Sequence, residues 1–368
     1  MSAVHLVRPE IRAERAYRVP TTLAAAAKVD QNESPYDLPD ELKRAALDAF
    51  AATPWNRYPD DRPHRLVAAL ERANDLPAGS VIVGRGSNEL THTLGLCFLD
   101  ADTPVVLPSP MFSLWASVAR MHGAQTVDVP ADRETLRHDP DEILSAARRS
   151  GAPLTVVTTP NNPTGQTIAH ADLERLADGV PGVLVVDEAY YEFLDGPTAV
   201  DLVRQFDNVL VMRTFSKALG LAGVRLGVMM GDPALVAEIE KSRLPFLVGR
   251  LGEEVGLAIL DRPDLVAERV AELKAEREAL EAWLGGLDGV EVLPGEANFF
   301  LVRTPLAPAD LQGQLAERGV LIRDVTGYPA LAGADGRPGW SRISVGSPSE
   351  NAAIRAALAE VLNTVTEA

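Results

Sequence analysis

The sequence predicts an α/β fold, with a mainly parallel central sheet in a large domain and a smaller α+β domain after it. Three observations carry that expectation. Between residues 80 and 229, short apolar runs alternate with helical patterns, the order that a sheet of βαβ units requires. Those runs are apolar almost without interruption, as in strands covered on both faces. Beyond about residue 250 the texture changes to a long amphipathic helix and then strands separated by further helices.

Residues 1–30 carry little periodic signal and read as an N-terminal arm. Residues 31–250 read as the large domain, with strand runs at 80–83, 104–107, 154–157, 183–186, 209–212 and 226–229. Helical patterns lie between them, for example at 87–99 and 170–179. Residues 251–368 read as the small domain. Val266, Val270, Leu273, Leu280 and Leu284 recur at helical spacing, with charges on the other faces. Strand runs follow at 299–302, 320–322 and 342–345, with a helix near 309–318. The last helix opens on Ser347-Pro348-Ser349-Glu350, which places a capping serine, a proline at the first position and a glutamate at the third.

A chain of 368 residues can bury a core without a disulfide or metal staple. Its formal net charge of −17 argues against a general nucleic-acid or anionic-membrane partner, because no surface field would attract polyphosphate. A small anionic ligand needs only a local cluster of donors and stays open. Cys97 is the only cysteine, and it lies in the apolar run Leu94-Gly95-Leu96-Cys97-Phe98-Leu99, so a buried structural thiol is expected. The six histidines show no metal-ligand spacing, and no metal is expected. The first thirty residues lack the apolar core of a signal peptide, and no run is long enough to cross a bilayer. A cytoplasmic location is the expectation.

Ligands of doubly wound sheets bind outside the carboxyl ends of the strands. After the run at 154–157 comes Pro160-Asn161-Asn162-Pro163-Thr164-Gly165, which presents Asn162. After 183–186 comes Asp187-Glu188-Ala189-Tyr190, and after 209–212 comes Arg213-Thr214-Phe215-Ser216-Lys217. From Asn162 to Asp187 is 25 positions and from Asp187 to Lys217 is 30, each about one βαβ unit. An amide, a carboxylate, a phenol and an amine therefore converge on one sheet edge. Pyridoxal phosphate suits that set: an aldehyde for lysine, a ring nitrogen for an acid, a ring oxygen for amide and hydroxyl donors. Its phosphate needs amides at a helix start, which Gly84-Arg85-Gly86-Ser87-Asn88-Glu89 supplies after a strand. Ser216 and Arg225 could complete that cup.

Taken singly, these features have plainer readings. Asp187 could cap the next helix, the glycines could form only a tight turn, and Phe112 and Trp115 could be core. Arg323 and Arg342 could form salt bridges in an acidic protein.

The run 216–225, Ser-Lys-Ala-Leu-Gly-Leu-Ala-Gly-Val-Arg, resembles the lysine motif of fold-type I, class I/II aminotransferases. Asn161-Asn162-Pro163-Thr164-Gly165 and Asp187-Glu188-Ala189-Tyr190 match two further motifs in the expected order. Within that class the chain is most similar to the histidinol-phosphate aminotransferases. The likeness takes in Asn32-Glu33-Ser34-Pro35, Asn56-Arg57-Tyr58-Pro59, Gly86-Ser87-Asn88-Glu89, Ala297-Asn298-Phe299, Leu321-Ile322-Arg323-Asp324 and Arg342-Ile343-Ser344-Val345-Gly346. It runs from about residue 32 to 346.

The resemblance implies ping-pong transamination through a Schiff base at Lys217, from histidinol phosphate to 2-oxoglutarate. Imidazole acetol phosphate and glutamate would be the products. It implies Asp187 at the ring nitrogen and Asn162 and Tyr190 at the ring oxygen. Gly86, Ser87, Asn88, Ser216 and Arg225 would hold the phosphate, with Tyr58 reaching it in the neighbouring subunit of a homodimer. Where the family pattern Pro-x-Tyr-x-x-Tyr has a stacking tyrosine, this chain has Phe112, which offers no hydroxyl. Arg342, with Arg323 beside it, would clamp the substrate's anion, and Asn32 and Tyr17 would touch substrate. The residue before Tyr17 is alanine where the family usually has proline.

Three other readings compete. One is an aromatic amino-acid aminotransferase or phospho-amino-acid decarboxylase of the same fold. The second is a cofactor-sensing regulator, for which residues 1–30 are too short and too weakly basic to supply a DNA-binding segment. The third is a dehydrogenase, for which Gly84-x-Gly86 lacks a third glycine and Lys217 has no role.

Overall fold

The computed structural model describes residues 2–16, 25–334 and 336–366. Seven strands form the central sheet: β2 (Val81–Gly84), β3 (Pro104–Ser109), β4 (Gln125–Pro130), β5 (Leu154–Thr158), β6 (Val183–Asp187), β7 (Val209–Thr214) and β8 (Gly227–Gly231), the preceding β1 (Ala27–Lys28) lying elsewhere. Their spatial order is β2-β8-β7-β6-β5-β3-β4. Contacts from β7 to β4 are parallel, whereas β8 runs antiparallel to both β7 and β2.

Successive side chains of a strand point to opposite faces, so an unbroken apolar run implies two buried faces. Leu184, Val186, Val209, Val211 and Val228 pack into the core on one face. Val183, Val185, Leu210, Met212 and Met229 pack into a separate core on the other. Each such side chain contributes roughly 1.5–3 kcal/mol of burial. The edge strand β4, Gln-Thr-Val-Asp-Val-Pro, buries only Val129.

The C-terminal segment builds a second sheet from β9 (Glu291–Leu293), β10 (Phe299–Arg303), β12 (Arg323–Asp324) and β13 (Ser341–Ser344), in the order β12-β13-β10-β9 and antiparallel throughout. Val270, Leu273, Leu280 and Leu284 of the helix Pro263–Gly285 share its core with Phe299, Phe300 and Ile343. Tyr190, Phe193 and Ala218, from loops of the central sheet, enter the same core. The final helix, Pro348–Thr366, starts as its capping residues predict: the Ser347 N–H donates to Glu350 Oε2 at 2.8 Å and the Glu350 N–H to Ser347 Oγ at 3.3 Å.

Two local expectations change. Ala27–Lys28, inside the segment read as an arm, pairs in parallel with β11 (Val320–Leu321) and anchors the chain that follows it. The run at 320–322 is not one strand, because Arg323–Asp324 turns away to pair with Ser341–Arg342.

Candidate active site

Strand register brings the chemistry together. Thr158 lies opposite Asp187, and Asp187 opposite Met212, so β5, β6 and β7 end side by side and release their loops in one direction. Gly227 lies opposite both Thr214 and Gly84, which sets the helix Ser87–Phe98 beside the Ser216–Lys217 turn. The loops enclose a cavity of about 530 Å³. Lys217, Asp187, Tyr190, Asn162, Ser87, Asn88, Phe112, Ser216, Arg225, Asn32, Arg323 and Arg342 all line it.

At one end, two glycines make a cradle. Gly86 caps the helix at φ +77°, and a Cβ there would stand 2.5 Å from an Arg225 Nη. A Cβ on Gly227 would overlap the Ser87 backbone nitrogen. Only glycine lets the strand approach the helix start so closely. Arg225, itself at φ +63°, reaches back so that Nη1 donates to Ser216 Oγ at 3.3 Å and to the Ala222 carbonyl at 3.0 Å. Unpaired helix N–H groups, a guanidinium and a hydroxyl thus face one spot, a site built for an anion.

Lys217 lies in the middle of the cavity. Its Nζ donates to the Gln31 carbonyl at 2.9 Å. Burial holds the amine down at about 7, and Arg342 adds to this, while Glu33 opposes it. Asp187, 8% exposed, takes one donor on each oxygen: Ala189 N–H to Oδ1 at 3.2 Å and Trp115 Nε1–H to Oδ2 at 3.4 Å. Burial pushes this carboxyl up to about 6 despite those donors. Behind it, Glu188 accepts from Arg213 Nη2 at 2.9 Å, so the adjacent carboxylate is neutralised by its own buried partner.

Asn32 Nδ2 donates to the Tyr190 hydroxyl at 2.9 Å, and Ser344 Oγ donates to Asn32 Oδ1 at 2.8 Å. Tyr190 packs edge-on against Phe299, with ring centroids 5.1 Å apart, and burial pushes its phenol up to about 12. Asn161, next to the presented Asn162, holds the loop by donating from Nδ2 to the Pro110 carbonyl and Thr164 Oγ1. Gly165, at φ +73°, lets that loop cross Gly295, where a Cβ would stand 2.7 Å from the Gly295 Cα.

Two further cationic side chains line the cavity. Arg323 and Arg342 are register partners on β12 and β13. Arg342 Nη1 donates to Asn162 Oδ1 at 2.5 Å and Nη2 to the Asp30 carbonyl at 2.9 Å. Arg323 Nε donates to the same carbonyl at 3.2 Å. Arg342 Nε is buried and has no hydrogen-bond partner among the described residues. Lys28 lies within 3.3 Å of Asp30 and is also bonded to Glu33, which lines the cavity.

One expected residue lies away from this cavity, and a second is not among the described residues. Tyr58 is 78% exposed and stacks on Phe246 at 4.7 Å, outside the cavity. Tyr17 lies outside the described residues. Conversely, the carbonyls of Asp30 and Gln31, the glycine at 227 and the indole of Trp115 escape sequence reasoning. A backbone carbonyl has no residue signature, the glycine acts through packing alone, and the indole's hydrogen bond to Asp187 spans 72 positions of sequence.

Comparison with known proteins agrees with this geometry. Residues 27–358 match the family Aminotransferase class I and II. The histidinol-phosphate aminotransferase of Chlorobaculum parvum is 40% identical over 326 residues, covering 89% of this chain and 91% of that protein. The enzyme of the same name from Chlorobaculum tepidum is 38% identical, covering 94% and 97%. The structure of histidinol-phosphate aminotransferase from Sinorhizobium meliloti in complex with pyridoxal-5'-phosphate superimposes with a TM-score of 0.82 at 26% identity, covering 97% of each chain.

Proposed function

Because the chain belongs to the class I and II aminotransferases, pyridoxal-phosphate enzymes, we propose that histidinol phosphate is its amino donor and 2-oxoglutarate its acceptor. The products are imidazole acetol phosphate and glutamate, a step of histidine biosynthesis. The observation that carries the reading is the pair of arginines in register that line the same cavity as Ser87, Ser216 and Arg225. One anion site serves a cofactor phosphate. The second, formed by Arg323 and Arg342, serves a substrate phosphate, or in the other half-reaction a carboxylate.

The residues present fit pyridoxal phosphate. The glycine cradle leaves the helix N–H groups open at Ser87 and Asn88, with Ser216 and Arg225 against them. Asp187 suits the ring nitrogen, Asn162 and Tyr190 the ring oxygen, Phe112 a ring face and Lys217 the aldehyde. When bound, this cofactor supplies the carbon that takes the amino group and the ring that accepts the electron pair of the broken Cα–H bond.

The chain's own residues do the rest. Asp187 offers a carboxylate that burial alone would protonate and that two N–H donors keep available. Lys217 Nζ, held near 7, is uncharged in about half of the molecules at neutral pH, and in that form can take and return the proton at the donor's Cα. The Gln31 carbonyl fixes that amine while it does so. Tyr190 stays protonated and is oriented by Asn32, so its hydroxyl can donate. Arg323 and Arg342 fix the substrate by its anion, which aligns Cα with Nζ. Tyr58 belongs to the site of the neighbouring subunit in a homodimer under the same proposal.

Steady-state kinetics with purified enzyme test the assignment. Histidinol phosphate is expected to give a kcat/KM at least about a hundredfold above that of phenylalanine, because an aromatic donor leaves the second anion site unfilled. Preference for phenylalanine, or decarboxylation of a phospho-amino acid without amino transfer, overturns it.

A further inference from the structure

The helix Leu114–His122 lies outside the loops that carry the proposed chemistry, yet it sends one polar atom to the site. Trp115 is 3% exposed, packed among Met111, Leu107, Val156, Val185 and Met212. Its indole N–H is the single polar group on that ring, and it points at Asp187 Oδ2, 3.4 Å away. Packing alone would be served as well by phenylalanine. We infer that Trp115 is a positioning residue for Asp187, its N–H fixing the orientation of the carboxylate and favouring the ionised form. The inference rests on the proposed role of Asp187 at the ring nitrogen of pyridoxal phosphate.

The physical argument is one of hydrogen-bond inventory. A buried carboxylate needs donors on both oxygens, and among the described residues Asp187 has two, both neutral. The Ala189 N–H belongs to the backbone and holds Oδ1. Trp115 therefore decides what happens at Oδ2. An indole donates and never accepts, so it binds an oxygen that carries lone pairs and gives nothing to a carboxylic O–H. Trp115 is the strongest influence that draws Asp187 back towards ionisation against burial. Glu188, paired with Arg213, acts weakly in the opposite direction. The remaining titratable neighbours are Tyr190, beside Asp187, and Lys217, Arg225 and Arg342, which line the same cavity.

The test is the pH dependence of pyridoxal phosphate binding to the apoprotein, measured by equilibrium dialysis for wild type and Trp115→Phe. Binding weakens below the pH at which Asp187 becomes protonated. Removing one hydrogen bond to a charged group is expected to move that acid limb upward by about one pH unit. At pH 8.5, where Asp187 is ionised in both proteins, the two dissociation constants are expected to agree within about twofold. Lys217 and the cofactor's own groups titrate in both proteins, so the difference between the curves isolates Asp187. A uniform loss at every pH, or superimposable curves, overturns the inference and leaves Trp115 as packing. If Trp115→Phe does not fold, 3-benzothienylalanine at position 115 exchanges the N–H for sulfur at constant ring size, with the same expected shift. Absence of any pyridoxal phosphate binding by wild type would defeat the cofactor assignment itself, a result distinct from both.

Discussion

Burial holds the Lys217 amine at about 7, so the chain folds around a group that water would keep charged. In the unfolded chain a lysine titrates near 10.4. The folded pKa lies below the unfolded one, so this group destabilises the fold fully below pH 7. The penalty shrinks as pH rises and vanishes above the unfolded value. Lys217→Met in the apoprotein is therefore expected to raise stability at pH 7 by about 3 kcal/mol, once roughly 1 kcal/mol is allowed for the stranded Gln31 carbonyl. The gain should fade towards pH 10. Urea unfolding at several pH values checks this, and equal or lower stability of the variant at pH 7 would show that the amine is well solvated. At this scale much was legible. Lys217, Asp187, Asn162 and Tyr190 announce themselves by following apolar strand runs, and the structure gathers all four on one cavity. What could not be read is which partners set their states. The Gln31 carbonyl and the Trp115 N–H reach the site from 186 and 72 positions away, respectively, and no local pattern encodes either contact.

Elements meet at glycines. The β2–β8 edge and the start of the helix Ser87–Phe98 touch at Gly227, where a Cβ would overlap the Ser87 nitrogen. Backbone cannot yield there as a flexible side chain would. Gly227→Ala is expected to cost about 2–4 kcal/mol in stability. It should also weaken pyridoxal phosphate binding at least tenfold, since the helix start must shift away from Ser216 and Arg225. Thermal unfolding and cofactor titration read the two effects, and unchanged affinity would show that the cup does not bind the phosphate. The strands flanking this junction were legible because both faces are buried, so periodicity collapses into an unbroken apolar run. The edge strand β4 was not, because exposure on one side leaves Gln125, Thr126 and Asp128 polar. The reversal of β8 was equally hidden, since an apolar run carries no direction. Ala27–Lys28 is too short for a periodic signal, and its pairing with β11 comes from tertiary packing.

Taken whole, the molecule separates its charges. A chain of net charge −17 gathers Lys217, Arg225, Arg323 and Arg342 around one cavity, so the proposed anion sites lie inside an acidic shell. Its surface also carries aromatic rings that water disfavours. Trp55 and Tyr58 are 70% and 78% exposed, Trp55 stacked on Phe50 and Tyr58 on Phe246. Arg250 Nη2 donates to the Tyr58 carbonyl at 2.8 Å and holds that segment to the helix Arg250–Leu260. Exposed aromatics on a fixed backbone suit an interface, and in the proposed homodimer Tyr58 would serve its partner's site. A two-fold dimer then has two sites, each built from Lys217 of one subunit and Tyr58 of the other. Lys217→Ala alone and Tyr58→Ala alone should each lose most activity. A subunit with Lys217→Ala can still lend Tyr58, and one with Tyr58→Ala still carries Lys217, so a hybrid dimer contains one intact site. Unfolded together and refolded in equal amounts, the two variants form about half hybrids, and activity should return to about a quarter of wild type. Recovery no greater than the parents' average would mean that Tyr58 serves its own subunit or no site at all.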